Sequence, residues 1–386
     1  MVFLGSSLVV FGMSYTQFKK YTKKHAKTLQ SQALNIKQAT IENDIALRTP
    51  NPTLDMALGR YDASGKNDAY GYSISASQTI RTNGYYNALK NRSEAKALLS
   101  KAYVYEGKAK YMKKVEETYT QYVYESKLLA LLQEEYKLSK KMTHITKERY
   151  VNGAKPKVAY LQAKTQTLTL KTQMHTTKQQ MNSLYYMLLA MGGFNKNVNL
   201  SKKFIYSVSS KFKGKHKLSA KQKILLAKEK LYASQLQINQ ERFTSYDVTA
   251  SIEKEPEQSI LRMGISIPLP LRHNKEEERA LARLKMQQLS LDHDALALNI
   301  KSQKKMYHSA IVELNAQYAA LRALEKEQQS LSSLLSEGYD IAQGSLFELM
   351  LAKSKLIQTK ISLLQTLKQI NQQKIELHLL QGAYND

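Results

Sequence analysis

The sequence predicts a mainly α-helical chain with a small β part, built as a duplicated unit whose strands close a barrel only when several copies assemble. Three observations point there. Prolines number 6 in 386 residues, far below a typical usage of about 5%, so long uninterrupted helices are allowed. The spacing of apolar residues switches between period two and steps of three and four at matching places in the two halves. A shift of 189 residues then aligns Tyr150 with Tyr339, Pro156 with Ser345, Ala163 with Ala352, Lys164 with Lys353 and Gly193 with Gly382. An internal repeat of this kind sets the architecture before any single element is assigned.

The chain opens on an apolar run, Val2 to Gly12. It is too short to span a bilayer and reads as the h-region of a secretory signal peptide, with residues 1–14 as the leader. The first repeat, 15–193, begins with a polar helical stretch from Tyr15 to Leu47, which Arg48-Thr-Pro-Asn-Pro52 stops. A β-hairpin over about 53–77 follows. Leu54, Met56 and Leu58 alternate with Asp55, Ala57 and Gly59; Tyr70, Tyr72, Ile74 and Ala76 alternate with Gly71, Ser73, Ser75 and Ser77. From about Tyr85 the period becomes helical. Leu98, Ala102, Tyr105, Ala109, Met112, Val115, Tyr119 and Tyr122 form a narrow seam of coiled-coil type. The helix turns near 150–156 and its partner runs to about Met191, where Gly192-Gly193 ends it.

Residues 194–217 are Lys- and Ser-rich and irregular. The second repeat, 218–386, reads as a helix from Ser219 to Glu241, a hairpin over about 245–269, a long helix from near Lys275, a turn near 338–345 and a last helix ending at Gly382.

Two hairpins supply four strands of lipid-crossing length. Open sheet edges are not tolerated in lipid, and four strands do not close a barrel. Two copies give 8 strands and three give 12, and only the larger ring leaves an aqueous lumen. The apolar face of each strand suits lipid, and the small polar face (Gly71, Ser73, Ser75, Thr249, Ser251, Gly264, Ser266) suits a wet lumen. The long helices, at roughly 1.5 Å per residue, extend on the order of 100 Å and suit a helical tube attached to the barrel.

Several stretches carry a resemblance to the TolC-like outer-membrane factors, and within them to the heavy-metal (CzcC/CusC-type) branch. Thr49-Pro-Asn-Pro-Thr-Leu54 resembles the Pro-Asn-Pro before the first strand. Ser75-Ala-Ser-Gln-Thr-Ile80 with Gly84, and Ile265-Ser-Ile-Pro-Leu-Pro270, resemble the two strand-to-helix crossings, which places those crossings at Gln78, Pro268 and Pro270. Arg149-Tyr-Val-Asn-Gly153 with Val158, Leu161, Gln162 and Ala163 resembles the first helical turn; Tyr339, Glu348, Leu349 and Ala352 resemble the second. Ala342 stands where the family usually has Gly, and Leu351 where many members carry a second carboxylate. The resemblance implies a homotrimeric, non-enzymatic exit duct of a tripartite efflux system. It implies an outer-membrane location with a large periplasmic part, and partners in outer-membrane lipid, a periplasmic membrane-fusion adaptor and an inner-membrane pump of the resistance-nodulation-division type. Heavy-metal cations are the implied cargo; a drug-efflux or type I secretion duct of the same fold is the alternative. Tyr150, Asn152, Gly153, Tyr339, Asp340 and Glu348 become the candidates for a gate at the periplasmic tip.

Other chemistries find little support. Zero Cys excludes a disulfide scaffold, a thiolate metal site and a Cys nucleophile. The eight histidines (His25, His144, His175, His216, His273, His293, His308, His378) show no i,i+4 pair and no carboxylate at ligand spacing, so neither a metal site nor a cofactor is expected. The formal charge of +26 fits a nucleic-acid binder of coiled-coil type. The leader-like N-terminus and the amphipathic strands argue against it, and the 25 tyrosines are spread along helical seams instead of forming a stacking platform.

Overall fold

The structure is a computed structural model and describes residues 12–61, 69–209, 218–272, 274–340 and 345–384. The leader up to residue 11, the first hairpin loop, His216, His273, Ala342 and the side chain of Asp340 lie outside the described residues. Among the described residues, seven helices and four strands run in the order α1 (Tyr15–His25), α2 (Lys27–Leu47), β1 (Thr53–Tyr61), β2 (Ala69–Arg81), α3 (Asn83–Val151), α4 (Lys157–Gly192), α5 (Ala220–Gln240), β3 (Ser245–Lys254), β4 (Ser259–Ser266), α6 (Glu276–Asp340) and α7 (Leu346–Leu380). Among the described residues, no helix is long and apolar enough to cross a membrane.

The chain forms two compact units, and neither coincides with a sequence repeat. One comprises residues 1–31, 107–219 and 299–386; the other comprises 32–106 and 220–298. Each therefore takes segments from both halves. The cause is geometric: helices of 69 and 65 residues make contacts sideways, with segments at the same level, whichever repeat supplies them.

The second unit holds a four-stranded antiparallel sheet in the order β1-β2-β3-β4. Its register sorts the two faces. One face carries the cross-strand rows Met56–Ile74–Ile252–Leu261 and Leu54–Ala76–Ala250–Met263; the other carries Thr53–Ser77–Thr249–Gly264. Because strand side chains alternate, a one-residue slip would exchange the two faces, so the apolar pattern fixes the register. The apolar side chains are not covered by the chain itself: Leu58 is 89% exposed and Met263 82%. The outer edges of β1 and β4 have no strand partner among the described residues.

Two expected boundaries move. Gln78 does not sit at a strand-to-helix crossing; it lies inside β2, paired with Val248. The strand continues to Arg81 because β3 supplies partners as far as Ser245. Thr82 then makes the crossing, its N–H donating to the Thr244 carbonyl at 3.1 Å and its hydroxyl to that of Phe243 at 2.7 Å. At the other crossing, β4 stops at Ser266 and α6 starts at Glu276. Pro268 and Pro270 fall in the irregular stretch between, where neither can donate to a ladder. Gly338, expected at a turn, is still within α6.

The first unit packs around Phe18, Met112, Val115, Tyr119, Val123 and Leu188, all buried. Leu200 joins them: Met13 pairs with it in an isolated bridge, the Met13 N–H donating to the Asn199 carbonyl at 2.6 Å. Ser14, assigned to the leader from sequence, caps α1 in a reciprocal capping box with Gln17.

Candidate functional site

The helix turns that hold the sequence-predicted tip residues are built from cap chemistry. α3 ends at Val151, and the chain reverses through Gly153, whose φ of 75° favours glycine. The Asn152 amide donates to the Glu148 carbonyl at 2.9 Å and the Gly153 amide to that of Tyr150 at 3.0 Å. Pro156 and Ser345, aligned by the repeat, are the N-caps of α4 and α7. The matched Gly193 and Gly382 both adopt positive φ, 75° and 68°. The duplication thus holds at the level of individual backbone dihedrals.

Tyr150 and Asn152 are exposed, and the Tyr150 ring stacks on Tyr160 with centroids 6.2 Å apart and an interplanar angle of 3°. Tyr339 is exposed near the end of α6, and Glu348 is exposed in the first turn of α7, where a carboxylate complements the helix dipole. The first turn lies beside the start of α7: a cavity of about 440 Å³ is lined by Ile145, Arg149 and Lys155 on one side and by Ser345, Leu346 and Phe347 on the other. Among the described residues, no hydrogen bond or ion pair joins Tyr150 or Asn152 to Tyr339 or Glu348. A second cavity of about 170 Å³ lies next to it, lined by Met142, Ala163, Leu170 and Leu351.

The sequence reading missed a polar cluster in the core. Glu116 is fully buried. It accepts from the Tyr15 hydroxyl at 2.6 Å, the Lys19 ammonium at 2.9 Å, the Tyr206 hydroxyl at 2.9 Å and the Tyr384 hydroxyl. Burial penalises the charged form of Glu116, but Lys19 and the donated hydrogen bonds outweigh it and hold the pKa below the ordinary carboxylate value. Burial, with the neighbouring carboxylate, pushes the hydroxyls of Tyr15, Tyr206 and Tyr384 up. His378 Nδ1 lies 2.9 Å from the Tyr206 hydroxyl. Burial lowers its pKa to about 4, helped by Lys19 and opposed by Glu116, so the ring is neutral at pH 7. One carboxylate thereby ties α1, the segment after α4 and the C-terminal residues to α3. A signal was available: Glu116 lies four residues after Met112 and three before Tyr119, in the apolar seam itself.

The expectation that no histidine has a carboxylate at ligand spacing is corrected at His144, whose Nε2 lies 3.2 Å from Glu148 Oε1 one turn later. Both side chains are exposed, which is the setting of a surface ion pair. Among the described residues no three His, Cys, Asp or Glu side chains converge as a metal set.

No family model and no curated protein matches the sequence. Solved structures do match. A membrane protein from Pseudomonas aeruginosa aligns over 96% of this chain and 91% of its own, at 13% identity and a TM-score of 0.80. The CmeC outer membrane channel of Campylobacter jejuni aligns over 95% and 85%, at 15% identity and 0.76. CusC, described through its folding and transmembrane channel formation, aligns over 98% and 95%, at 14% identity and 0.76. The chain has the TolC-like channel fold. That fold is mainly helical with four antiparallel strands per chain. At these identities the likeness establishes the architecture, and function rests on the residues.

Proposed function

We propose that the protein is the outer-membrane exit duct of a tripartite efflux system, working without catalysis. Three copies join β4 of one to β1 of the next, closing a 12-stranded barrel, and the paired long helices form the periplasmic tube. The supporting observation is the sheet. Among the described residues it has two unpaired edges, uncovered apolar rows on one face and small polar rows on the other. Lipid accepts only closed β-structure, and a closed ring with this alternation is apolar outside and wet inside.

On this reading the mature chain lies in the outer membrane of a Gram-negative bacterium and receives cargo from a membrane-fusion adaptor and a resistance-nodulation-division pump. The residues resembling the heavy-metal branch favour cations as cargo. Tyr150, Asn152, Gly153, Tyr339, Asp340 and Glu348 form the tip gate, and three copies of Glu348 place an acidic ring at the mouth, which favours cations.

The test is direct. The chain should sediment with outer membranes as an oligomer that dissociates on boiling, and it should give discrete conductance in planar bilayers. Glu348→Ala should reduce cation selectivity. A carbonate-extractable monomer without conductance would refute the duct.

A further inference from the structure

α3 carries three buried glutamates in the first unit, Glu116, Glu125 and Glu135. Each meets burial differently. Glu116 has the Lys19 ammonium and three tyrosine hydroxyls. Glu125 accepts from the Gln121 amide at 2.6 Å. Burial pushes its pKa up, against Gln121 and the charge of Lys368. Glu135 has neutral donors alone. Its Oε1 accepts from the Ser354 hydroxyl at 3.3 Å and the Gln358 amide at 3.0 Å, and its Oε2 from the same amide at 3.1 Å. No ion pair reaches it among the described residues. A carboxylate only 5% exposed is costly to hold ionised without a counter-charge. Each of its oxygens has about two acceptor sites, so Oε2, with one donor, has room for another.

Glu135 is not sealed among packed side chains. It lines the cavity of about 170 Å³ between α3, α4 and α7. Most of the remaining lining is apolar: Leu138, Met142, Leu170, Phe347 and Met350. Ser139, Gln166 and Ser354 add neutral polar groups, and no Lys, Arg or His takes part. The 440 Å³ cavity shares Met142, Ala163 and Phe347 with it, which gives an apolar body room to extend. Arg149, on the lining of that larger cavity, lies 14 residues along α3 from Glu135. That is roughly 21 Å, beyond the screening length of about 8 Å at physiological salt.

The lining chemistry selects a ligand class. Met142 and Met350 adapt around irregular apolar shapes. The Phe347 ring attracts a cation, and Glu135 supplies the one full charge. A metal ion fits poorly, because among the described residues no set of three His, Cys, Asp or Glu side chains includes Glu135.

We propose that this cavity binds an organic ammonium ion with an apolar body, its N–H groups donating to Glu135 and its hydrocarbon part lying along Leu138, Met142 and Leu170. The simplest such ligand is a protonated aralkylamine. Glu135 stands 17 residues before Asn152, roughly 25 Å along α3 from the first turn. Binding needs neither the trimer nor the tip gate.

Isothermal titration of phenethylamine, ionised at about pH 7, into the full-length protein in phosphatidylcholine nanodiscs reads the site. Empty nanodiscs are the blank, and phenethyl alcohol is the neutral isostere. A hydrogen bond to a charged group should make the amine bind on the order of tenfold to a hundredfold tighter than the alcohol. Glu135→Gln keeps the side-chain shape and should bring the amine down to the level of the alcohol. Ala163→Leu narrows the cavity with Glu135 in place and should weaken both ligands. Circular dichroism melts establish that each variant is folded; if Glu135→Gln does not fold, Ala163→Leu and the amine–alcohol ratio of the wild type decide. Equal affinity for amine and alcohol overturns recognition by charge. Amine binding weaker than about 10 mM, or unchanged in the folded variants, overturns the site. Planar-bilayer conductance of the same preparation reads the duct separately, so a conducting protein that binds no amine overturns this site alone.

Discussion

Replacing Glu116 tests how the first unit is held together. Glu116→Leu keeps the apolar volume and removes the acceptor shared by Tyr15, Lys19, Tyr206 and Tyr384. Removing one partner of a buried charged pair costs about 3–5 kcal/mol, and each hydroxyl stranded without a partner adds about 1–3 kcal/mol unless it finds another. Lys19 is 28% exposed and can turn to water, which discounts its share. Counting the pair at about 3 kcal/mol and one stranded hydroxyl at about 1 kcal/mol, with the other hydroxyls re-pairing among themselves, the expected loss is about 4 kcal/mol. For a domain of about 200 residues each kcal/mol moves Tm by roughly 2–4 °C, so the melt should fall by about 8–16 °C. Glu116→Gln keeps the shape and gives up only the charge, and should lose about 1.5–3 kcal/mol. Far-UV circular dichroism melts of the detergent-solubilised protein, with limited proteolysis of α1, measure both. The folded pKa of Glu116 is lowered, so its stabilisation is complete above the unfolded carboxylate value and disappears as pH falls through the folded one. A Glu116→Leu melt within about 2 °C of wild type would show that the cluster holds nothing.

Three further outcomes are expected. His378 has a folded pKa of about 4 against roughly 6.5 unfolded; its contribution is present above 6.5 and is lost between there and 4, so His378→Gln should flatten Tm against pH over that window. Gly193→Ala should destabilise by more than Gly153→Ala, because both have φ of 75° but a Cβ at Gly193 meets the His25 carbonyl oxygen at 2.7 Å while Gly153 is open; the strain common to both is about 1–2 kcal/mol in paired melts. Met263→Arg places a charge on the exposed apolar face, and a cost of about 2–4 kcal/mol near the bilayer centre should reduce the heat-dissociable oligomer on unboiled gels.

The sequence by itself determined the elements and the faces. Period two at Tyr70, Tyr72 and Ile74 and steps of three and four at Met112, Val115 and Tyr119 are local consequences of strand and helix geometry, so they survive without any knowledge of neighbours. The repeat aligned Pro156 with Ser345, both N-caps, and Gly193 with Gly382, both of which take the positive φ that glycine allows. Tertiary structure alone decided two things. β2 runs on past Gln78 because β3 is there to receive it. Glu116 is fixed by Tyr15, Lys19, Tyr206 and Tyr384, brought from 90 to 268 residues away, and no local period reports such a distance. Periodicity records which face of an element is apolar; what covers that face is set by long-range packing, which a one-dimensional pattern does not encode.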